Sequence, residues 1–123
     1  MLTASQVATR AAQIANRFGL NQCKECATAL RCTFAASGLH GRVLRLSTVG
    51  GRPFIVMRSA AFRLPFSVPP GVDAISSNGQ HFGVQVGQQV FDNVFRSGVA
   101  AVQRQIMFDC SSHQFLVITE TTF

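Results

Sequence analysis

A cysteine, a histidine and an aspartate stand where they could form a thiol-based catalytic centre. Cys23 lies at the start of a helical pattern, His81 begins a run of alternating residues, and Asp92 ends the next such run. A thiol hydrolase needs a nucleophile, a base and a group that orients the base, and these residue types can fill the three roles. The sequence therefore predicts a cysteine nucleophile, provided that the fold brings the three side chains together.

The register of one hairpin tests the pairing of His81 with Asp92. Residues 80–93 alternate like two antiparallel strands, with a turn at residues 87–88. This register sets Gly83 opposite Asp92, makes Asp92 the diagonal neighbour of His81, and predicts a hydrogen bond between them. Gly83 is expected to leave space for the imidazole. A slip of one residue would put His81 and Asp92 on opposite faces.

Two cysteines compete for the role of nucleophile. Cys23 lies at the mouth of the helix, where the partial positive charge of the helix start lowers the pKa of a thiol. Cys26 lies one turn further in, and free cysteine is commonly buried there, so Cys26 is the alternative nucleophile. The backbone N–H of Cys23 could stabilise an oxyanion, with help from the side-chain amide of Gln22 or Asn21.

The remaining pattern predicts a single α+β domain over residues 1–123, with an N-terminal helical segment over 1–20 and a core over 21–123. Helices come first and an antiparallel sheet follows. The predicted helices cover residues 4–18, 23 to about 37, and 98–108. The predicted strands cover 42–48 and 54–58, joined across Gly50 and Gly51, then 80–86, 89–93 and 114–119, and residues 65–79 read as a long surface loop.

Composition limits the classes of function. The net charge is +6 and 47% of the residues are hydrophobic. A basic surface favours anionic partners, but the arginines are scattered along the chain without a cluster, so a nucleic-acid partner is not expected. The chain shows neither a membrane-spanning stretch nor a signal peptide. We therefore expect a cytoplasmic protein, or one delivered by another route, that needs no cofactor.

Three other interpretations stay open. A zinc site built from Cys23, Cys26, Cys32 and His40 has ligands of the right types, but their placement on one helix disfavours it, and no metal is expected. A basic nuclease or RNA-binding toxin would use histidines and arginines and need no cysteine. A domain that only binds a partner would keep its function when Cys23 or His81 is replaced. Taken one at a time, the three candidate residues are also typical of ordinary core or turn positions.

Several segments resemble one family, the papain-fold toxin domains of bacterial polymorphic toxin systems, and within it the second papain-fold toxin group. The similarity runs from about residue 15 to the C-terminus, and is carried by QCKECA at 22–27, GLHG at 38–41, ISSNGQH at 75–81, VFDN at 90–93 with Gly98, and FLVITE at 115–120. A Gln-Cys pair that opens the core helix is also similar to bacterial papain-like amidases of the CHAP type, which favours Cys23.

This resemblance implies a papain-like cysteine hydrolase core in which Cys23 is the nucleophile, His81 the base and Asp92 the orienting group. It implies a toxin or effector that acts as a peptidase, deamidase or acyl transferase on a protein in a target cell. It also implies delivery into a neighbouring or host cell by a secretion system, and a cognate immunity protein.

Overall fold

The computed structural model describes residues 2–57 and 74–123, and within them it is an α+β fold, as predicted. The helices are α1 (Ala4–Ala15), α2 (Cys23–Ala36), which a 3-10 turn at Leu20–Gln22 precedes, and α3 (Ala101–Met107). The strands are β1 (Arg42–Thr48), β2 (Ile55–Met57), β3 (Ala74–Ser76), β4 (Gln80–Val86), β5 (Gln89–Phe91), β6 (Val99–Ala100), β7 (Phe108–Asp109) and β8 (Phe115–Thr122).

The described strands form two antiparallel sheets. The larger has the order β6-β5-β4-β1-β8, and the smaller has the order β3-β2-β7. β1 and β2, predicted as strands joined across two glycines, belong to different sheets and do not pair. Gly79 explains the separation, because its carbonyl accepts from Thr48 N–H at 3.0 Å and its N–H donates to the Pro53 carbonyl at 2.7 Å. The backbone of Gly79 thus lies between the two segments.

The two long helices pack on one face of the larger sheet. Their inward-facing residues share one core with the sheet, formed by Val7, Ala11, Ile14, Ala15, Cys26, Ala27, Leu30, Phe34, Val43, Val84 and Phe91. A capping box between Thr3 and Gln6 starts α1. α1 ends at Ala15 and not at the predicted residue 18, because the next residues form hydrogen bonds of the i→i+3 type, as in a 3-10 turn. Phe18 still packs against the core.

A second core lies beside the smaller sheet and overturns part of the predicted surface loop. It is built from Leu46, Ile55, Ile75 and Phe108. The predicted loop over 65–79 is wrong at its end, since Ala74–Ser76 is a strand in which Ile75 and Ser76 are buried. Burial of Ile75 and pairing with β2 outweigh the turn-forming residues around it. Residues 65–73 of that prediction lie outside the described residues.

The C-terminal elements differ in length from their predictions. α3 begins at Ala101 and not at residue 98, because Gly98 has φ 96° and Val99–Ala100 pairs with β5. β8 runs on to Thr122, past the predicted end at residue 119, along the whole length of β1. None of the helices in the described part of the chain is long and apolar enough to cross a membrane.

Candidate active site

Cys23 is the first residue of α2 and is half-buried. The turn before it is held from two sides. Gly19 N–H donates to Oε1 of Gln22 at 2.8 Å, and the Gly19 carbonyl accepts from Nδ2 of Asn93 at 2.7 Å. Asn93 lies directly after Asp92, so the same short loop that carries the aspartate also fixes the start of the cysteine helix.

His81 and Asp92 meet as the hairpin register predicts. Val84 pairs with Phe91 across β4 and β5, and His81 Nε2 lies 3.0 Å from Asp92 Oδ2. His81 is 0% exposed and Asp92 is 1% exposed. The predicted hydrogen bond is therefore confirmed, in an environment from which water is excluded.

The other ring nitrogen of His81 is the one available to Cys23, since Nε2 is taken by Asp92. Nδ1 is buried and makes no hydrogen bond of full geometry to the described residues. The Cys23 thiol nevertheless lies within hydrogen-bonding and electrostatic range of the ring. Catalytic hydrogen bonds are often long or poorly aligned before a substrate binds.

The surroundings of Cys23 favour a thiolate. Burial raises the pKa of this thiol, but the hydrogen bond and the charge of His81 lower it, as do the backbone N–H groups of Phe82 and Lys24, and the net result is a lowered pKa. Cys26 is the opposite case. It is fully buried, and burial together with the negative charges of Asp92 and Cys23 raises its pKa to about 12.

His81 and Asp92 are shifted in the sense that an ion pair requires. Burial lowers the pKa of His81, but the hydrogen bonds to Asp92 and Cys23 and the charge of Asp92 outweigh it, so the pKa is raised. For Asp92, burial raises the pKa, but His81, Arg104 and a backbone N–H hold it well below its usual range. The arrangement can hold a thiolate, an imidazolium and a carboxylate in one row.

Arg104 is a member of this centre that the sequence analysis missed. Its Nε donates to Asp92 Oδ2 at 3.1 Å, and the residue is 2% exposed. The other carboxylate oxygen, Oδ1, accepts from the backbone N–H groups of Val94 and Phe95. Asp92, directly after β5, therefore forms an Asx turn and also holds His81 and Arg104, so the structural and the functional interpretation of this residue are compatible.

The space beside Gly83 is used differently from the prediction. A Cβ built on Gly83 would lie 2.8 Å from Nη2 of Arg104, so the glycine makes room for the guanidinium and not for the imidazole. The rings of His81 and Phe108 meet edge to face at 5.1 Å, and Arg104 lies over the same Phe108 ring at 5.6 Å. Phe108 thereby packs against both cationic partners of Asp92.

Of the two predicted side-chain oxyanion donors, Asn21 shares a cavity with the thiol, whereas the Gln22 carboxamide contacts Gly19. Asn21 and Cys23 line a cavity of about 90 Å³ together with Ile75, Ser76, Ser77 and Asn78. Gln22 is exposed, and its Oε1 is occupied by Gly19 N–H. That bond fixes the carboxamide of Gln22 at the helix mouth with its NH₂ group as the remaining donor.

The remaining candidate residues differ in burial and position. Cys26 is buried, while Cys32 on the same helix is exposed. His113 contacts Asp109 at 3.1 Å on the surface, next to the buried Cys110. In residues 2–57 and 74–123, no group of three or more His, Cys, Asp or Glu side chains is arranged to hold a metal ion.

Comparison with known proteins identifies the family. Neither a curated protein nor a solved structure matches the chain. The model of the family described as Papain fold toxin 2 matches residues 6–107, which include Cys23, His81, Asp92 and Arg104. The match covers most of the chain and agrees with the observed α+β fold. The chain therefore belongs to the Papain fold toxin 2 family.

Proposed function

We propose that this toxin domain is a papain-like thiol hydrolase that acts on carboxamide or peptide bonds of a protein in the target cell. Cys23 is the nucleophile, His81 the base and Asp92 the group that orients His81. One observation carries the proposal: a buried imidazole whose Nε2 is held by Asp92 at 3.0 Å has its other nitrogen available to a half-buried thiol with a lowered pKa. Delivery into that cell and recognition by a cognate immunity protein are parts of the same proposal.

In the proposed mechanism, the Cys23 thiolate attacks the carbonyl carbon of an amide. The oxyanion accepts hydrogen bonds from the backbone N–H of Cys23 and from the amide of Gln22 or Asn21. The imidazolium of His81 gives its proton to the leaving nitrogen, and a thioester remains on Cys23. Water or an amine then attacks the thioester. Water completes proteolysis or deamidation, and an amine completes acyl transfer.

Asp92 and Arg104 have supporting roles in this mechanism. The carboxylate fixes the ring of His81 and stabilises its protonated form. Arg104 limits that effect, because its charge lowers the pKa of His81 while it anchors the carboxylate. We propose that Arg104 is a positioning residue that keeps Asp92 in place. Its positioning effect on His81 passes through Asp92, in addition to the direct effect of its charge on the pKa of His81.

The alternative is a basic nuclease that uses His81, His40 or His113. Nuclease chemistry needs a histidine that can reach a phosphate. His81 is 0% exposed and faces Asp92, and His113 contacts Asp109 on the surface. Within residues 2–57 and 74–123 no feature of the structure favours this alternative, and the experiment below separates it from the thiol mechanism.

Induced expression in a bacterium tests the proposal. We expect growth arrest with the unchanged chain, loss of arrest with Cys23→Ser and with His81→Ala, and full arrest with Cys32→Ser. Cys32 is the matched control because it is an exposed cysteine on the same helix. Mass spectrometry of cell proteins before and after induction distinguishes new chain ends, deamidated side chains and new amide linkages. Growth arrest that persists with Cys23→Ser refutes the thiol mechanism and favours the nuclease.

A further inference from the structure

A basic groove lies along α2 beside the candidate nucleophile. It has a volume of about 370 Å³ and is lined by Lys24, Ala27, Thr28 and Arg31 of α2 and by Val43, Arg45, Gln80, Phe82, Glu120 and Thr121 of the sheet. The helix residues are spaced three, four and seven positions apart, so they form one face of α2. The groove therefore lies between this helix face and the sheet.

The charges of the groove are unbalanced. Three cationic side chains and one carboxylate line it, and that carboxylate, Glu120, is already paired with Arg45. Arg31 Nε is buried without a hydrogen-bond partner among the described residues. Lys24 Nζ lies 5.9 Å above the ring of Phe82. A buried guanidinium nitrogen without an acceptor is stabilised by an incoming carboxylate, because a charge-assisted hydrogen bond replaces the lost contact with water.

One end of the groove adjoins the proposed active site. Lys24 follows Cys23, and Phe82, which follows His81, directs its backbone N–H to the sulfur while its ring lines the groove. Arg31 lies seven positions along α2 from Lys24, which corresponds to about 10 Å of helix. An extended peptide covers about 3.3 Å per residue, so this distance matches about three substrate residues.

Resting on the proposed function, we infer that the groove is a substrate subsite for an acidic side chain about three residues from the bond that Cys23 attacks. Arg31 binds the carboxylate, Lys24 adds positive charge at the end of the groove nearer Cys23, and the Phe82 ring supports the intervening chain. The substrate class is accordingly a protein segment with Asp or Glu at that spacing. An uncharged segment would leave Arg31 Nε without an acceptor.

Matched alkylating peptides test the subsite. Iodoacetyl-Gly-Gly-Glu-amide is compared with its Gln counterpart, and acetyl-Glu-Gly-Gly chloromethyl ketone with its Gln counterpart, so that both chain directions are covered. Each rate of Cys23 alkylation is divided by the rate with iodoacetamide for the same variant. We expect the Glu probe of one pair to react about fivefold to tenfold faster than its Gln partner at low salt, with the advantage lost near 0.5 M salt.

Variants locate the effect. With Arg31→Gln the Glu-to-Gln rate ratio is expected to fall to about 1, and Lys24→Gln, on the exposed end of the groove, makes the same test if the first variant fails to fold. Arg10→Gln removes an equal charge from the exposed face of α1 and should keep the ratio. A ratio near 1 for both probe pairs overturns the subsite. Slow alkylation by iodoacetamide that does not depend on His81 overturns the proposed function, so the two failures are distinguishable.

Discussion

Replacing Asp92 with Asn gives the most informative change in stability, because the amide has nearly the same shape as the carboxylate. The Oδ1 position still accepts from Val94 and Phe95 N–H, so the Asx turn survives. At the Oδ2 position an NH₂ group now faces two donors, His81 Nε2 and Arg104 Nε, which lie 3.0 and 3.1 Å from the oxygen in the unchanged protein. Two buried cationic partners thus lose their acceptor.

The size of the effect follows from these two bonds. A hydrogen bond to a charged group contributes about 1.5–3 kcal/mol, and removal of one partner from a buried ion pair costs about 3–5 kcal/mol. We therefore expect Asp92→Asn to lower the free energy of unfolding by about 3–5 kcal/mol at neutral pH. Glu120→Gln is the matched control, since it removes a carboxylate from an exposed ion pair and should cost less than about 1 kcal/mol.

Urea denaturation at several pH values measures the loss of stability caused by Asp92→Asn and the direction in which that loss changes with pH. The lowered pKa of Asp92 means that its carboxylate stabilises the fold above the unfolded value of about 3.9, and that this contribution is lost as the pH falls toward the folded value. The difference in the free energy of unfolding between the unchanged protein and Asp92→Asn should become smaller below about pH 4, by about 1.4 kcal/mol per pH unit. A gap under about 1 kcal/mol at neutral pH, or one that stays constant into acid, would refute the buried charged centre.

Two further substitutions test the packing around the site. Gly83→Ala should destabilise the protein by about 1–3 kcal/mol in urea denaturation, because the new Cβ displaces the guanidinium of Arg104; an unaltered midpoint would contradict the close approach. Cys26→Ala should cost about 1 kcal/mol of stability through a small cavity and should leave alkylation of Cys23 in place. Loss of Cys23 alkylation in this folded variant would reassign the reactive thiol to Cys26.

The pairing of His81 with Asp92 was predictable because it depends on local chain geometry. Side chains alternate with a period of two, so a turn at residues 87–88 fixes which residues share a face. Gly87 has φ 60°, as a tight hairpin turn requires, and the predicted pair of Val86 with Gln89 is observed. The position of Cys23 at the start of α2 was predictable for the same reason, because a helix start depends on neighbouring residues.

Arg104 was not predictable, because its partner lies on a different element. Helix α3 reverses the usual pattern: Val102 and Ile106 are 81% and 61% exposed, whereas Arg104 is 2% exposed. Apolar periodicity would turn Val102 and Ile106 inward. The buried carboxylate of Asp92, together with the ring of Phe108, makes it favourable to bury the arginine. The available signal was the scarcity of acidic residues, which leaves few possible partners for a buried cation.

The smaller sheet was predicted only in part: β2 (Ile55–Met57) lies within the predicted strand over 54–58, whereas β3 and β7 were missed. β2 and β3 have three residues each and β7 has two, and lengths as short as these carry no clear alternation. Their pairing joins segments far apart in the chain, so burial of Ile55, Ile75 and Phe108 decides it. The turn-forming residues near β3 correctly predict a bend, but they also led to the prediction of a loop where the strand lies.

The rate of Cys23 alkylation by iodoacetamide as a function of pH, resolved by peptide mass spectrometry, tests the central claim most directly. Alkylation requires the thiolate, so the lowered pKa of Cys23 predicts that its labelling persists at pH values below the ordinary thiol pKa of about 8.5. Labelling of Cys23 should outpace that of the exposed Cys32, and in His81→Ala it should require a higher pH. Equal, slow labelling of Cys23 and Cys32, or a pH profile that His81→Ala does not move, would contradict the proposed thiolate–imidazolium pair.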